Sequence, residues 1–356
     1  MRIGIVGLPN AGKTTLFNAL TRSTAATATY PFTTVEPNVA VVEVPEERLE
    51  PVAEAAEASP AIPETIEFRD IAGLVKGAAA GEGLGNRFLA EIRETDAICH
   101  LVRVHEDPQV PHPDGRIDPV ADAEVVEAEL LLADLEQAER RLERVRKQAG
   151  SGAREAVTER EWLERVVDAL GSGTPVRDVP VPAAAPGAGQ RLQALSAKPV
   201  LYVANVEEGD SEPPAALVEH AAADDRCIAI SARIEAELAE LPADDAAEMR
   251  ADLGLEGSGL TRLVRAAYGL LDLITFFTAH RGSEARARSL PRGSTAWDAA
   301  GRVHTDIQAG FVRAEVIGWR ELVDAGGYAR ARERGAIRTE GRDYVVRDGD
   351  VVTIRH

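Results

Sequence analysis

Sulfur, aromatic rings and lysine are all scarce in this chain of 356 residues: it has Cys 2, Met 2, Trp 3, Tyr 5 and Phe 7. Cys99 and Cys227 each lie inside an apolar run, so no disulfide framework is available and a reducing, cytoplasmic setting is expected. No stretch approaches the roughly 18 consecutive apolar residues of a membrane span. Met1-Arg2-Ile3-Gly4 leads straight into an apolar run without the layout of a signal peptide, and no membrane partner is expected. Hydrophobic content of 45% excludes global disorder. The length predicts two to three domains.

Basic charge is also in deficit. Asp+Glu 59 against Lys+Arg 40 gives −19, which excludes a surface that is a nucleic-acid platform throughout. The deficit is uneven: residues 273–356 hold 14 Arg, no Lys and 11 acidic residues, a net of +3, so the first 272 carry 26 − 48 = −22. Only Lys13, Lys76, Lys147 and Lys198 are lysines, a pattern of GC-rich coding bias in which Arg replaces Lys.

What is present is an alternation of apolar strand-like runs and helical patterns. The runs fall at 2–7, 39–44, 65–70, 97–104, 199–204 and 227–231, with helical periodicity at 13–20 and 86–94. This predicts an α/β fold with a mainly parallel sheet covered on both faces. Helical patterns at 121–148 and 153–170, joined by Gly150-Ser151-Gly152, predict an inserted antiparallel hairpin, or else charge-laced helices that lie in solvent without a partner. A Pro/Ala/Gly-rich stretch follows at 178–189. The tail 343–354, two β-rich runs around Asp348-Gly349, predicts a hairpin in a small C-terminal α+β domain. The expected domains are 1–120 with 196–272 for the nucleotide, 121–195 for the hairpin and 273–356 for the C-terminal module.

Gly7-Leu8-Pro9-Asn10-Ala11-Gly12-Lys13-Thr14 fits the G-x-x-x-x-G-K-[ST] phosphate loop, placed between a strand and a helix as its chemistry requires. Backbone N–H groups from Asn10, Ala11, Gly12, Lys13, Thr14 and Thr15 would cradle phosphate oxygens at a helix N-terminus. Lys13 would reach the β/γ-phosphates, and the Thr14 hydroxyl would ligate Mg²⁺. Asp70-Ile71-Ala72-Gly73 closes the next apolar strand. Its carboxylate is placed to hold the metal, and the Gly73 N–H to meet the γ-phosphate. In Tyr30–Asn38, Thr33 or Thr34 offers a hydroxyl that reaches the metal only when the γ-phosphate is present. The segment 77–85 carries four glycines beside it.

At the base end, guanine readers use Asn-Lys-x-Asp. This chain has Asn205-Val206-Glu207-Glu208 after an apolar strand, with Ser231-Ala232-Arg233 as a companion loop under the base. Loss of the Asp removes the acceptor that prefers guanine. Leu74 stands where Ras-like enzymes place the Gln that orients water, which predicts slow hydrolysis. His112, in a Pro-rich loop, is either a group that positions water or an exposed loop residue.

Together these residues resemble the Obg-like ATPase family, the YchF subfamily of the Obg-related translational GTPases. The resemblance spans nearly the whole chain: residues 7–21, 30–38, 70–78, 83–86, 198–199, 205–208 and 232–241. At the C-terminus, 301–306 and 342–350 resemble the family's TGS module, a ubiquitin-like β-grasp. It departs in the second hairpin helix and at 180–190. The resemblance implies a P-loop NTPase domain of G type with an inserted α-helical coiled-coil hairpin, ATP preferred over GTP, Mg²⁺, and ribosome or ribosomal RNA as partner through the TGS and helical parts. By position it implies Thr14 and Thr34 as metal ligands, and Asn205, Val206 and Glu208 as base contacts. It also implies His112 as the family's loop histidine, and K⁺ near Asn10. A monomer is expected. A GTP-specific enzyme that tolerates Glu208, and a ribosome-docking module with incidental hydrolysis, are the alternatives.

Overall fold

A computed structural model describes residues 1–27, 38–71, 84–107, 110–112, 115–149, 153–222, 226–255 and 257–356. The strands are β1 (Arg2–Val6), β2 (Val39–Glu43), β3 (Ala61–Ile62), β4 (Thr65–Asp70), β5 (Ala97–Arg103), β6 (Val200–Asn205), β7 (Cys227–Ile230), β8 (Leu273–Ala279), β9 (Ala285–Pro291), β10 (Arg313–Gly318), β11 (Arg338–Glu340) and β12 (Asp350–Arg355). The first eight helices are α1 (Lys13–Thr27), α2 (Leu49–Ala56), α3 (Leu84–Arg93), α4 (Pro119–Ala149), α5 (Arg154–Gly171), α6 (Ala188–Leu192), α7 (Ala215–Ala221) and α8 (Ala232–Leu238). Then follow α9 (Ala243–Asp252), α10 (Gly259–Leu270), α11 (Ala296–Val303), α12 (Thr305–Ala309), α13 (Trp319–Ala325) and α14 (Tyr328–Glu333).

The chain divides into two compact units, Met1–Val42 with Glu67–Ala267, and Glu43–Ile66 with Tyr268–His356. The first is built on a sheet of order β2-β4-β1-β5-β6-β7. β1 lies parallel to β4 and β5, β5 to β6, and β6 to β7. Every residue of β5 and β6 is buried, as strands covered on both faces must be. All six expected apolar runs became these strands, and the fold is the expected α/β P-loop domain.

The two long helices are partnered rather than solvated. Ala138, Leu142 and Val145 of α4 pack against Trp162, Leu163, Val166 and Leu170 of α5, and the following stretch folds back over them through Val176, Ala185, Ala188 and Leu192. Asp134 of α4 is completely buried and receives the N–H of Leu195 (2.8 Å) and of Ser196 (2.7 Å) and the Ser196 hydroxyl (2.6 Å). The carboxylate thereby fixes the point where the chain leaves the hairpin for β6. Glu159, likewise buried, takes Arg141 and Arg191.

The second unit corrects two expectations. Residues 43–66, counted with the nucleotide domain by sequence, belong here. β3 pairs with β9 (Ala61↔Ala285, Ile62↔Arg286), and Leu49, Val52, Ala53 and Ala56 of α2 join a core with Phe277, Ile317 and Leu322. Arg48 donates to Asp348 at 2.6 Å, and Glu64 accepts from the Ser289 N–H (2.9 Å), the Ser289 hydroxyl (2.7 Å) and Arg302 (3.0 Å). The sheet runs β11-β10-β12-β8-β9-β3, with β12 parallel to β8 and antiparallel to β10. That is the β-grasp order, extended by β3, and α11 follows the β8–β9 hairpin behind a Thr295/Asp298 capping box.

The second correction is at the tail: the expected 343–354 hairpin does not form. Only β12 is a strand, and Val345 instead bridges to Thr295. The turn is held onto β8, because Thr275 N–H donates to Asp348 (2.9 Å) and Gly349 N–H to the Thr275 carbonyl (2.8 Å).

Candidate nucleotide site

The phosphate loop follows β1 and turns into α1 through backbone conformations that demand glycine: Gly12 sits at φ 97, and a Cβ there would meet Asn205 Nδ2 at 2.4 Å. Gly7 is closed off in another way, since its Cβ would lie 2.3 Å from the Leu101 carbonyl oxygen. Lys13 is buried, and its ammonium donates to the carbonyls of Gly7 and Leu8, both at 2.8 Å. Burial lowers its pKa to about 8, against the pull of Asp70. The side chain therefore stays a cation near neutral pH, fixed inside its own loop. Asp70 ends β4 beside Ile5, and burial raises its carboxyl above the ordinary value, opposed by Lys13 and with a smaller rise from Glu91.

A cleft of about 900 Å³ opens from this loop. Its lining joins Asn10, Gly12, Lys13, Thr14 and Thr15 of the phosphate loop with Asn205, Val206, Glu207 and Glu208 after β6 and Ser231, Ala232 and Arg233 after β7. The phosphate-loop and base-loop residues expected from sequence are thus brought together, except that Ala11 is buried beneath the loop. Thr34 and Gly73 lie outside the described residues, as do most of 30–38 and 74–85.

Asn205 lines the cleft and also ties its loops together. Its Nδ2 donates to the Ala11 carbonyl (3.0 Å) and its Oδ1 accepts from Ala232 N–H (3.0 Å), so the amide ties the phosphate loop to the loop after β7. Val206 is buried, whereas Glu208 is exposed at the mouth. Ser231 caps α8, its hydroxyl facing Ile234 N–H at 3.5 Å.

His112 is not the exposed loop residue of the two alternatives. Its side chain is 5% exposed and pairs through Nε2 with Asp122 of α4 at 2.7 Å. It lines a small recess under the phosphate loop with Leu8, Pro9 and Ala11, not the nucleotide cleft. The neighbouring Pro111 carbonyl accepts from Asn10 Nδ2 at 3.1 Å, which joins that loop to the phosphate cradle.

Sequence reasoning missed the wall formed after β5. Arg103, 4% exposed, donates to three carbonyls, those of His105 (2.9 Å), Val110 (2.7 Å) and Asp107 (3.4 Å). It shapes a loop whose His105, Glu106 and Asp107 line the cleft. An Arg that ends a wholly buried strand was the available signal.

Fold and site together define a P-loop nucleoside triphosphatase of the G-domain type. Residues 2–137 match a family profile described as 50S ribosome-binding GTPase, and 273–356 match the YchF-GTPase C-terminal profile, described as a protein of unknown function. The chain is 44% identical over 359 residues to the ribosome-binding ATPase YchF of Bacillus subtilis, covering 99% of this chain and 98% of that protein. It is also 44% identical over 355 residues to the same-named protein of Escherichia coli O157:H7, again with 99% and 98% covered. Among solved structures, the Schizosaccharomyces pombe YchF GTPase superposes with a TM-score of 0.87 at 33% identity, covering 100% of this chain and 97% of that one. The chain belongs to the YchF family.

Proposed function

We propose that the chain binds ATP in preference to GTP, hydrolyses it slowly with Mg²⁺, and uses its nucleotide state to govern association with ribosomes as a cytoplasmic monomer. The observation that carries this is one cleft lined both by Lys13 and Thr14 and by Val206 and Glu208. Among the described residues no group of three His, Cys, Asp or Glu forms a protein cage for a metal. The donors at hand are the Thr14 hydroxyl and the Asp70 carboxylate, hard oxygens suited to Mg²⁺ that completes its shell with phosphate and water. Mg²⁺ so held would neutralise charge on the phosphates. Thr34 is assigned as the further ligand by resemblance, and Asn10 as the residue beside K⁺. Leu74, unable to orient water, supports a low intrinsic rate.

Titration calorimetry with ATP and GTP in Mg²⁺ tests the base: ATP is expected to bind at least tenfold tighter, and GTP binding as tightly or tighter overturns that preference. A GTPase is the second reading, favoured by the Schizosaccharomyces pombe relative's description as a GTPase.

Ribosome association draws support from the relatives' names and from the C-terminal unit. Arg342 stacks over Trp297 (5.3 Å), Arg338 over Tyr344 (5.4 Å) and Arg320 over Trp319 (5.2 Å), with Trp297 37% exposed. Cation–aromatic pairs of this kind suit phosphate contact and stacking on unpaired bases. Arg342→Glu is expected to weaken co-sedimentation with ribosomes by about tenfold at low salt, through lost attraction and added repulsion. Unchanged binding would remove this face from the interface.

A further inference from the structure

His105 lines the cleft against the end of β6, with its imidazole already committed on one side. Its Nδ1 lies 2.8 Å from the backbone carbonyl oxygen of Asn205. A carbonyl only accepts, so Nδ1 carries the proton. In the neutral ring Nε2 is then an acceptor. The backbone is fixed as well, because the His105 carbonyl accepts from the buried Arg103 at 2.9 Å. The residue lines the cleft with Val206, Glu208 and Ser231.

We propose that His105 is a base-specificity determinant, its Nε2 accepting a hydrogen bond from the exocyclic amine of adenine. At that ring position guanine carries an oxygen, an acceptor that would face the Nε2 lone pair. Discrimination would arise from a tautomer set by the Asn205 carbonyl, while the Asn205 amide holds the loops through Ala11 and Ala232. This rests on the ATP reading above and supplies the positive contact which that reading lacks: Val206 and Glu208 account for a lost guanine contact, whereas His105 offers one that adenine alone can make.

The test measures dissociation constants of ATP, GTP and purine riboside triphosphate, which lacks the amine, in Mg²⁺ on the full chain and on His105→Phe. Phe keeps a flat ring and removes both nitrogens. In the wild type, ATP should bind about tenfold tighter than the amine-free analogue, the size of one discriminating hydrogen bond. In His105→Phe the two should bind within twofold, and the ATP/GTP ratio should narrow by a similar factor. Ratios taken on one preparation are insensitive to a misfolded fraction, and His105→Lys, a pure donor, should move the ratio further toward GTP. A wild type that prefers ATP with an unchanged ratio in His105→Phe overturns this assignment alone. A wild type that prefers GTP overturns it together with the ATP reading.

Discussion

Lys13→Ala is expected to lower kcat/KM for nucleotide hydrolysis by about a hundredfold to a thousandfold, the range for removal of one preorganised charge from a transition state. The ammonium is held within the loop by two carbonyls at 2.8 Å, so little reorganisation is needed when charge develops on the phosphates. Arginine should not rescue it, because a planar fork cannot occupy the compact position that a buried ammonium fills. Phosphate release measured at subsaturating nucleotide checks this, alongside circular dichroism to confirm the fold. A loss under fivefold would mean that the loop backbone alone stabilises the transferred group.

Asp134→Ala is expected to destabilise the nucleotide-binding unit by about 3–5 kcal/mol, the usual cost of breaking a buried charged network. Burial raises the carboxyl's pKa, while Ser196, the N–H of Leu195 and Arg93 pull it down, so the native group is kept by its partners rather than by solvent. Without it, the N–H groups of Leu195 and Ser196 lose their acceptor inside the protein. Urea unfolding followed by far-UV circular dichroism reads the effect as a shifted first transition, since two units need not unfold together. A shift below 1 kcal/mol would show that the hairpin root tolerates solvent.

The parallel sheet was legible because strands buried on both faces spell continuous apolar runs, and each run needs no knowledge of its neighbours. The phosphate loop was legible for the same reason: its chemistry is contained in eight consecutive residues. Features that depend on distant partners were not. β3 is two residues long, and only its pairing with Ala285 reveals which unit it serves. His112 reads as exposed from its proline-rich surroundings, yet Asp122, ten residues on, draws it under the loop. Arg103 and His105 stand out only once three carbonyls and the Asn205 oxygen converge on them. In the tail, an Asp-Gly pair signalled a hairpin, but Thr275 captured the turn from another strand.

The excursion at 43–66 has a consequence for how the polypeptide is made. Ala61 leaves the ribosome 224 residues before its partner Ala285 (285 − 61), an interval of roughly 10–45 s at ordinary elongation rates. Throughout that time the apolar face of α2 has no core of its own to enter and β3 has no strand to pair with, while β2 and β4, on either side of the excursion, already have each other and β1. The nucleotide-binding unit is therefore translated around a segment that must wait, and synthesis of the last ninety or so residues releases it. A fragment that begins at 273 would lack this segment altogether, and with it one edge strand and one face of its core.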